Sequence, residues 1–355
     1  MRTYKILETL CLAGIAFLFA AASLLLFSLL QRIFDFILHS GGKLFLPLAI
    51  SGCLLFAQSA SAQSRSLNEA VMNNSLKEVE AFLRNGADPN AYDDDSDNVL
   101  INAAMYSSAD CMELLLKYKA NPELGNRYGQ RPLMLCTNDM EKMKLLLSWG
   151  ANINDTSRSG NCALLMACSG YGKYATIKWL IDKGAKPSAK RWNTETPLMR
   201  SARFGDTMTI GLFLSLGFDI NAHPWGMSPL MIAVRLGNWD AVGYLVRHGA
   251  DASITDEDNN PSVMYAADAG NLEAVRLLMP GTKNINTTNV RAAMTPLMWA
   301  TLNEHDDPAI IQAFLDKGAK VNVKAYDGST ALSWALKKGN TRTVELLRKA
   351  GAKNN

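Results

Sequence analysis

Histidine is scarce: the 355 residues hold only four, His39, His223, His248 and His305. No H-E-x-x-H pattern occurs, nor a G-x-x-x-x-G-K-S/T phosphate loop, nor a G-x-S-x-G nucleophile elbow. Cysteine is also sparse, and none of Cys11, Cys53, Cys111, Cys136, Cys162 and Cys168 forms a C-x-x-C pair for zinc or redox work. Cys111, Cys136, Cys162 and Cys168 sit among small residues, so packing is their expected role. The net charge of +3 gives no ground for a nucleic-acid partner. Convergent ionisable groups are few. The chain is therefore expected not to be an enzyme, and to need no cofactor, metal or small-molecule substrate.

Three local patterns resemble chemistry and weaken when inspected. His305 stands beside Asp306 and Asp307, which would suit a metal, but mixed polar residues in a loop are ordinarily just solvated. Asp93, Asp95 and Asp97 match the first three ligands of a calcium loop; Asn98 stands where that loop needs Gly, and Ala104 where it needs Glu. A charged finger tip is the plainer reading. "CSGYGKYA", Cys168 to Ala175, places Gly170 and Gly172 before a lysine, yet a phosphate loop would need a preceding strand.

The N-terminus is apolar. Leu10 to Leu30 runs without a charge and is long enough to cross a bilayer, with Arg2 and Lys5 holding its start in the cytoplasm. "KLFLPLAISGCLLFAQSASAQS", Lys43 to Ser64, has the basic start, apolar middle and small-residue end of a secretory signal, with cleavage after Ala62. "ISGC" offers a rival lipobox at Cys53, against which the apolar residues after it speak. The two segments together form either a hairpin returning the chain to the cytoplasm or a signal preceded by an upstream start, the true product beginning near Gly41. The stretch from Leu44 to Phe56 is short for a span, so export is expected, to the periplasm or tethered at the cell envelope. The expected divisions are 1–40, a membrane-directed segment; 41–62, a signal-like segment; and 63–355, a repeat domain.

What the rest of the chain has in abundance is repetition. "TETPLMRSARFGD" from Thr194 returns as "MSPLMIAVRLGN" from Met227 and "MTPLMWATLNE" from Met294. The small residue closing each phrase falls at Ala70, Ala103, Cys136, Ala167, Ser201, Ala233, Ala266, Ala300 and Ala335, at intervals of 31 to 35 residues. Thr196-Pro197, Ser228-Pro229 and Thr295-Pro296 predict a capping hydroxyl before a proline at the first helical position. Gly205, Gly237, Gly270 and Gly339 predict left-handed helix ends. Asp206, Asn238, Asn271 and Asn340 then cap a second helix marked by Leu114-Leu115, Leu145-Leu146, Leu277-Leu278 and Leu346-Leu347. That helix stops at "NGADPN", "WGANIN", "HGADAS" or "KGAKVN", which open a turn into an extended finger.

These residues resemble the ankyrin repeat, over roughly Arg65 to the C-terminus. The resemblance implies an all-α solenoid of about nine helix-turn-helix units with β-turn fingers, following the hydrophobic N-terminal segments. One departure is systematic: where the family has His in T-P-L-H, this chain has Met199, Met231, Met264 and Met298, with Ile101 and Leu165 elsewhere. In the family the imidazole helps tie neighbouring loops, whereas a thioether only packs, so finger rigidity is put in question. A single unit cannot bury its apolar face, so the recurring letters are the stacking surface.

Ankyrin-like stacks bind proteins on a concave surface of finger tips and exposed first-helix positions. In register, the tips carry Arg127, Tyr128, Arg158, Trp192, Trp225 and Met227, and the first helices carry Tyr106, Arg203, Phe204, Arg235 and Leu236. Aromatic and Arg side chains dominate binding energy at interfaces, although the two tryptophans would equally stiffen the stack and the arginines pair internally. Trp299 and Trp334 are expected in the core. The expected function is a non-enzymatic protein-binding scaffold of the cell envelope, bacterial by its leader, with a protein partner and a membrane contact through the N-terminal segment. The alternatives are a cytoplasm-facing anchored adaptor, or an inhibitor or immunity protein for a neighbouring enzyme.

Overall fold

Each phrase of the repeat contains a strong start signal, a short apolar run and a stop, and in the computed structural model each becomes a pair of short antiparallel-type helices. The structure describes residues 67–186, 195–224, 226–302 and 306–353. The leader, the cleavage at Ala62, Cys53, Trp192, Trp225 and His305 lie outside them.

The described residues fall into two compact units. The first, 67–127 with 144–150, contains α1 (Leu76–Arg84), α2 (Val99–Tyr106) and α3 (Ala109–Lys117). The second, 128–143 with 151–353, begins with α4 (Pro132–Leu135), and α5 (Met140–Ser148) is divided between the two. It continues through α6 (Ala163–Ala167), α7 (Tyr174–Asp182), α8 (Pro197–Phe204), α9 (Thr207–Ser215), α10 (Pro229–Arg235) and α11 (Trp239–Arg247). Then follow α12 (Ser262–Asp268), α13 (Leu272–Leu278), α14 (Pro296–Leu302), α15 (Pro308–Asp316), α16 (Ala331–Lys338) and α17 (Thr341–Lys349). Among the described residues, extended pairing is confined to two isolated bridges, Tyr92 with Asn98 and Thr255 with Pro261. The fold is all-α and made of repeats.

The start signals work as chemistry predicts. Thr196, Ser228 and Thr295 accept the N–H of Met199, Met231 and Met298 at 3.2–3.3 Å, and the following proline removes a donor that would have no partner. Gly205 stops α8 at φ +73°, where a Cβ would strain the backbone and approach the Asn238 side chain at 3.3 Å.

Two of the four expected second-helix caps act differently. Asp206 and Asn271 accept the N–H of Thr209 and Ala274. Asn238 instead donates to the Ala202 and Arg203 carbonyls at 3.0 and 2.6 Å, and Asn340 to that of Thr301 at 3.4 Å. Each closes the C-terminal carbonyls of the preceding repeat rather than its own helix.

All nine small residues at the register position are between 0 and 7 % exposed. The stacking surface is where the spacing put it. The substituting Met199, Met231, Met264 and Met298 are buried as well, with Ile101 and Leu165. Of each leucine pair only the second member, Leu115, Leu146, Leu278 or Leu347, is fully buried, because a 100° step turns its neighbour toward the rim. Trp299 and Trp334 are half-buried rather than core: Trp334 donates its Nε1–H to Ser329 and carries Lys337 over its ring.

With methionine in the histidine position, asparagine ties the fingers. Asn90, Asn154, Asn286 and Asn322 each donate to a carbonyl at the next repeat's helix end, Lys119, Gly184, Gly318 or Gly351. Each also accepts an N–H two residues further on, from Asn121, Lys186, Lys320 or Lys353. Asn286→Ala removes both bonds and is expected to cost about 1–2 kcal/mol in urea unfolding, with Asn286→Asp intermediate because it keeps the acceptor.

The extended eighth unit carries another tie. The Asp306 carboxylate accepts the backbone N–H of Arg342 at 2.9 Å and of Thr343 at 3.0 Å, capping α17 from the preceding repeat, while Asn340 makes no such cap. Burial pushes the Asp306 carboxyl up, but the hydrogen bonds and the Arg342 charge outweigh it and hold it below its ordinary value. A carboxyl depressed in the folded state contributes stability above its unfolded pKa of about 3.9 and loses it as pH falls through the folded value. Thermal unfolding should therefore show a smaller loss of melting temperature between pH 7 and pH 3 in Asp306→Asn than in the parent.

Candidate binding surface

The last turn of each first helix lies beyond the buried small residue, so positions two and three after it swing toward solvent. In α8 these are Arg203 and Phe204, and in α10, packed beside it, Arg235 and the adjoining Leu236. Phe204 is 40 % and Leu236 49 % exposed, apolar surface with no folding role to hold it in water.

The two arginines differ in their partners. Glu195, largely buried, takes Arg200 Nε on one oxygen at 2.9 Å and Arg203 Nε on the other at 2.8 Å. Arg200 also reaches the preceding repeat, its Nη1 lying 3.3 Å from Asn161 Oδ1, the Leu165 carbonyl and Ser169 Oγ. Among the described residues, Arg203 makes its ion pair through Nε. Arg235 has no carboxylate partner among the described residues; it lies 5.9 Å from the centre of the Tyr265 ring, with Nη1 3.6 Å from Met227 Sδ. Tyr265 donates its hydroxyl to Asp256, and burial, followed by that carboxylate, pushes the phenol up to about 12. The ring stays neutral and offers its face to the guanidinium.

The finger tips are less uniform. Tyr128 is 55 % exposed, Arg158 is exposed, and the Arg158 backbone N–H donates to the Tyr128 carbonyl at 2.9 Å. Arg127, in the first unit, is exposed, as is Tyr106 at the end of α2. Met227 is half-buried, its sulfur turned to Arg235. The structure thus brings Arg203, Phe204, Met227, Arg235 and Leu236 onto adjoining repeats of the second unit. Glu195, Arg200 and Tyr265 were not singled out in the sequence. The signal available for them was their place in register: Arg200 and Tyr265 both precede the small residue of their phrase.

No group of three or more His, Cys, Asp or Glu among the described residues could hold a metal. In the acidic finger, Asp93 Oδ1 accepts the N–H of Asp95 and Asp97, its Oδ2 the amide of Asn102, and Asp97 that of Asn126. These carboxylates shape the turn. Gly172 and Lys173 lie on the turn between α6 and α7. Among the described residues no helix is long and apolar enough to cross a membrane.

Cys111, Cys136, Cys162 and Cys168 are buried and stand outside any disulfide. Burial pushes the Cys136 thiol up to about 12 and raises that of Cys168 further. The thiolate is the reactive form, so iodoacetamide at pH 8 should label none of these four in the native protein and all four in denaturant; mass spectrometry reads the difference.

The family profile for ankyrin repeats (3 copies) matches residues 67–157, 164–258 and 263–355, well over half the chain. The chain belongs to the ankyrin repeat family. Ankyrin repeats generally mediate protein–protein interaction. Among relatives, the ankyrin repeat protein YahD of Escherichia coli is 28 % identical over 218 residues, 60 % of this chain and 92 % of that protein. The ankyrin repeat and KH domain-containing protein mask-1 of Caenorhabditis elegans is 29 % identical over 263 residues, 72 % of this chain. The ankyrin repeat protein nuc-2 of Neurospora crassa is 30 % identical over 225 residues, 61 % of this chain. This ankyrin chain spans only 10 % of mask-1 and 21 % of nuc-2.

Proposed function

We propose that the chain is a non-enzymatic scaffold of the cell envelope that binds a protein through exposed first-helix ends and finger tips of its second unit. The exposure of Phe204 and Leu236 on adjoining repeats, beside Arg203 and Arg235, carries this reading. Such residues anchor interfaces, and nothing in the packing of α8 or α10 requires them outside. The signal-like order of residues 43–64 supports export.

A photoreactive amino acid at Phe204 or Leu236 of the full-length chain in its native cells is expected to cross-link one protein. Phe204→Ala with Leu236→Ala should weaken the purified pair by about tenfold to a hundredfold. Undiminished binding by that double variant refutes the site. Alkaline phosphatase fused after residue 70 should be active; an inactive fusion would place the repeats in the cytoplasm.

A further inference from the structure

We infer that the partner segment seated on α8 and α10 is an acidic stretch of protein with apolar residues between its carboxylates. This rests on the protein-binding reading and specifies its chemistry. Three guanidiniums, Arg200, Arg203 and Arg235, lie on two adjoining repeats against a single ion-paired carboxylate, Glu195. Arg200 turns inward and spends its donors on Asn161, Leu165 and Ser169. Arg203 keeps both Nη groups without a partner among the described residues, because Glu195 engages only its Nε.

Arg235 is held by a ring and a sulfur, contacts that orient a guanidinium without neutralising it. The result is two oriented forks, one repeat apart, each matched to a carboxylate. Phe204 and Leu236 follow them directly in sequence, so apolar surface accompanies each fork. The strip has an end: one repeat further, the place of Arg203 and Arg235 is taken by Asp268 and that of Leu236 by Ala269. An acidic segment gains from the first two repeats and finds no guanidinium at that place in the third, which favours one position along the strip.

The test is selection of short random peptides, displayed on phage, against the full-length chain in detergent micelles. Winning peptides are expected to be enriched in Asp and Glu next to Leu, Phe or Trp. A synthetic winner, followed by fluorescence anisotropy, should bind Arg235→Glu at least about tenfold more weakly, and raised salt should weaken the parent complex. Arg235 has no carboxylate partner among the described residues, and its reversal leaves the Glu195 pairs intact; circular dichroism and the urea midpoint verify the fold. Winners without acidic enrichment, or acidic winners indifferent to Arg235→Glu, overturn the inference. If such winners still lose binding in the Phe204→Ala, Leu236→Ala protein, the protein-binding surface stands without it. Winners that bind that protein equally well, or an absence of winners above an unfolded control, sink both. Tighter binding of a single-stranded oligonucleotide than of any peptide, with the same loss in Arg235→Glu, also overturns the acidic-protein inference.

Discussion

Phe213→Ala is expected to destabilise the second unit by about 3–5 kcal/mol, the range for deleting a fully buried aromatic side chain. Phe213 lies in α9 with no exposed surface, its ring centre 5.1 Å from that of Phe218 and inclined by 60°. The cost combines lost transfer energy with the cavity left between second helices, which the flanking repeats fill only in part. A fall in the urea midpoint with unchanged steepness is the expected signature. Phe213→Leu should cost less than half as much, since most of the volume remains. A loss below about 1 kcal/mol for the alanine variant would mean that α9 is not packed as described.

Arg200→Ala should follow, at about 2–3 kcal/mol, for a different reason. The side chain bridges two repeats: it pairs with Glu195 in its own and reaches Asn161, Leu165 and Ser169 in the one before. Removing it leaves those acceptors, part-buried at Asn161 and Leu165 and exposed at Ser169, short of a donor. Glu195 retains Arg203, which limits the damage. Arg200→Lys should recover less than half the loss, because a single ammonium cannot span a planar fork's partners. Binding of the partner should be unaffected at temperatures where the variant stays folded, which separates this positioning arginine from Arg203 and Arg235.

The fold was legible because its determinants are local and recur. The Thr-Pro starts, the Gly stops and the buried small residue each depend on a few adjacent positions, and all nine of those small residues proved buried. What escaped were bonds between repeats. Asn90, Asn154, Asn286 and Asn322 look in sequence like turn openers, and only the stack places a carbonyl and an N–H opposite each amide. The Asn238 and Asn340 side chains escaped for the same reason, turning to the previous repeat's carbonyls instead of their own helix.

The candidate surface was legible by register and illegible by charge. Arg203, Phe204, Arg235 and Leu236 were readable as outward-facing, but the sequence does not reveal that Glu195 engages one arginine and not the next. The contact of the Met227 tip with Arg235 could not be read in advance, because it spans a turn. Trp299 and Trp334 were expected inside from their place in register, yet both are half-buried.

The clasp from Asp306 to the start of α17 joins two neighbouring repeats. In a stack whose modules touch only their neighbours, each such junction sets how far disorder in one module spreads to the next. A protease that nicks the chain near residue 340 should therefore loosen α17 and leave the arginine strip, several repeats upstream, folded. Damage on one side of that junction would then stop short of the arginine strip.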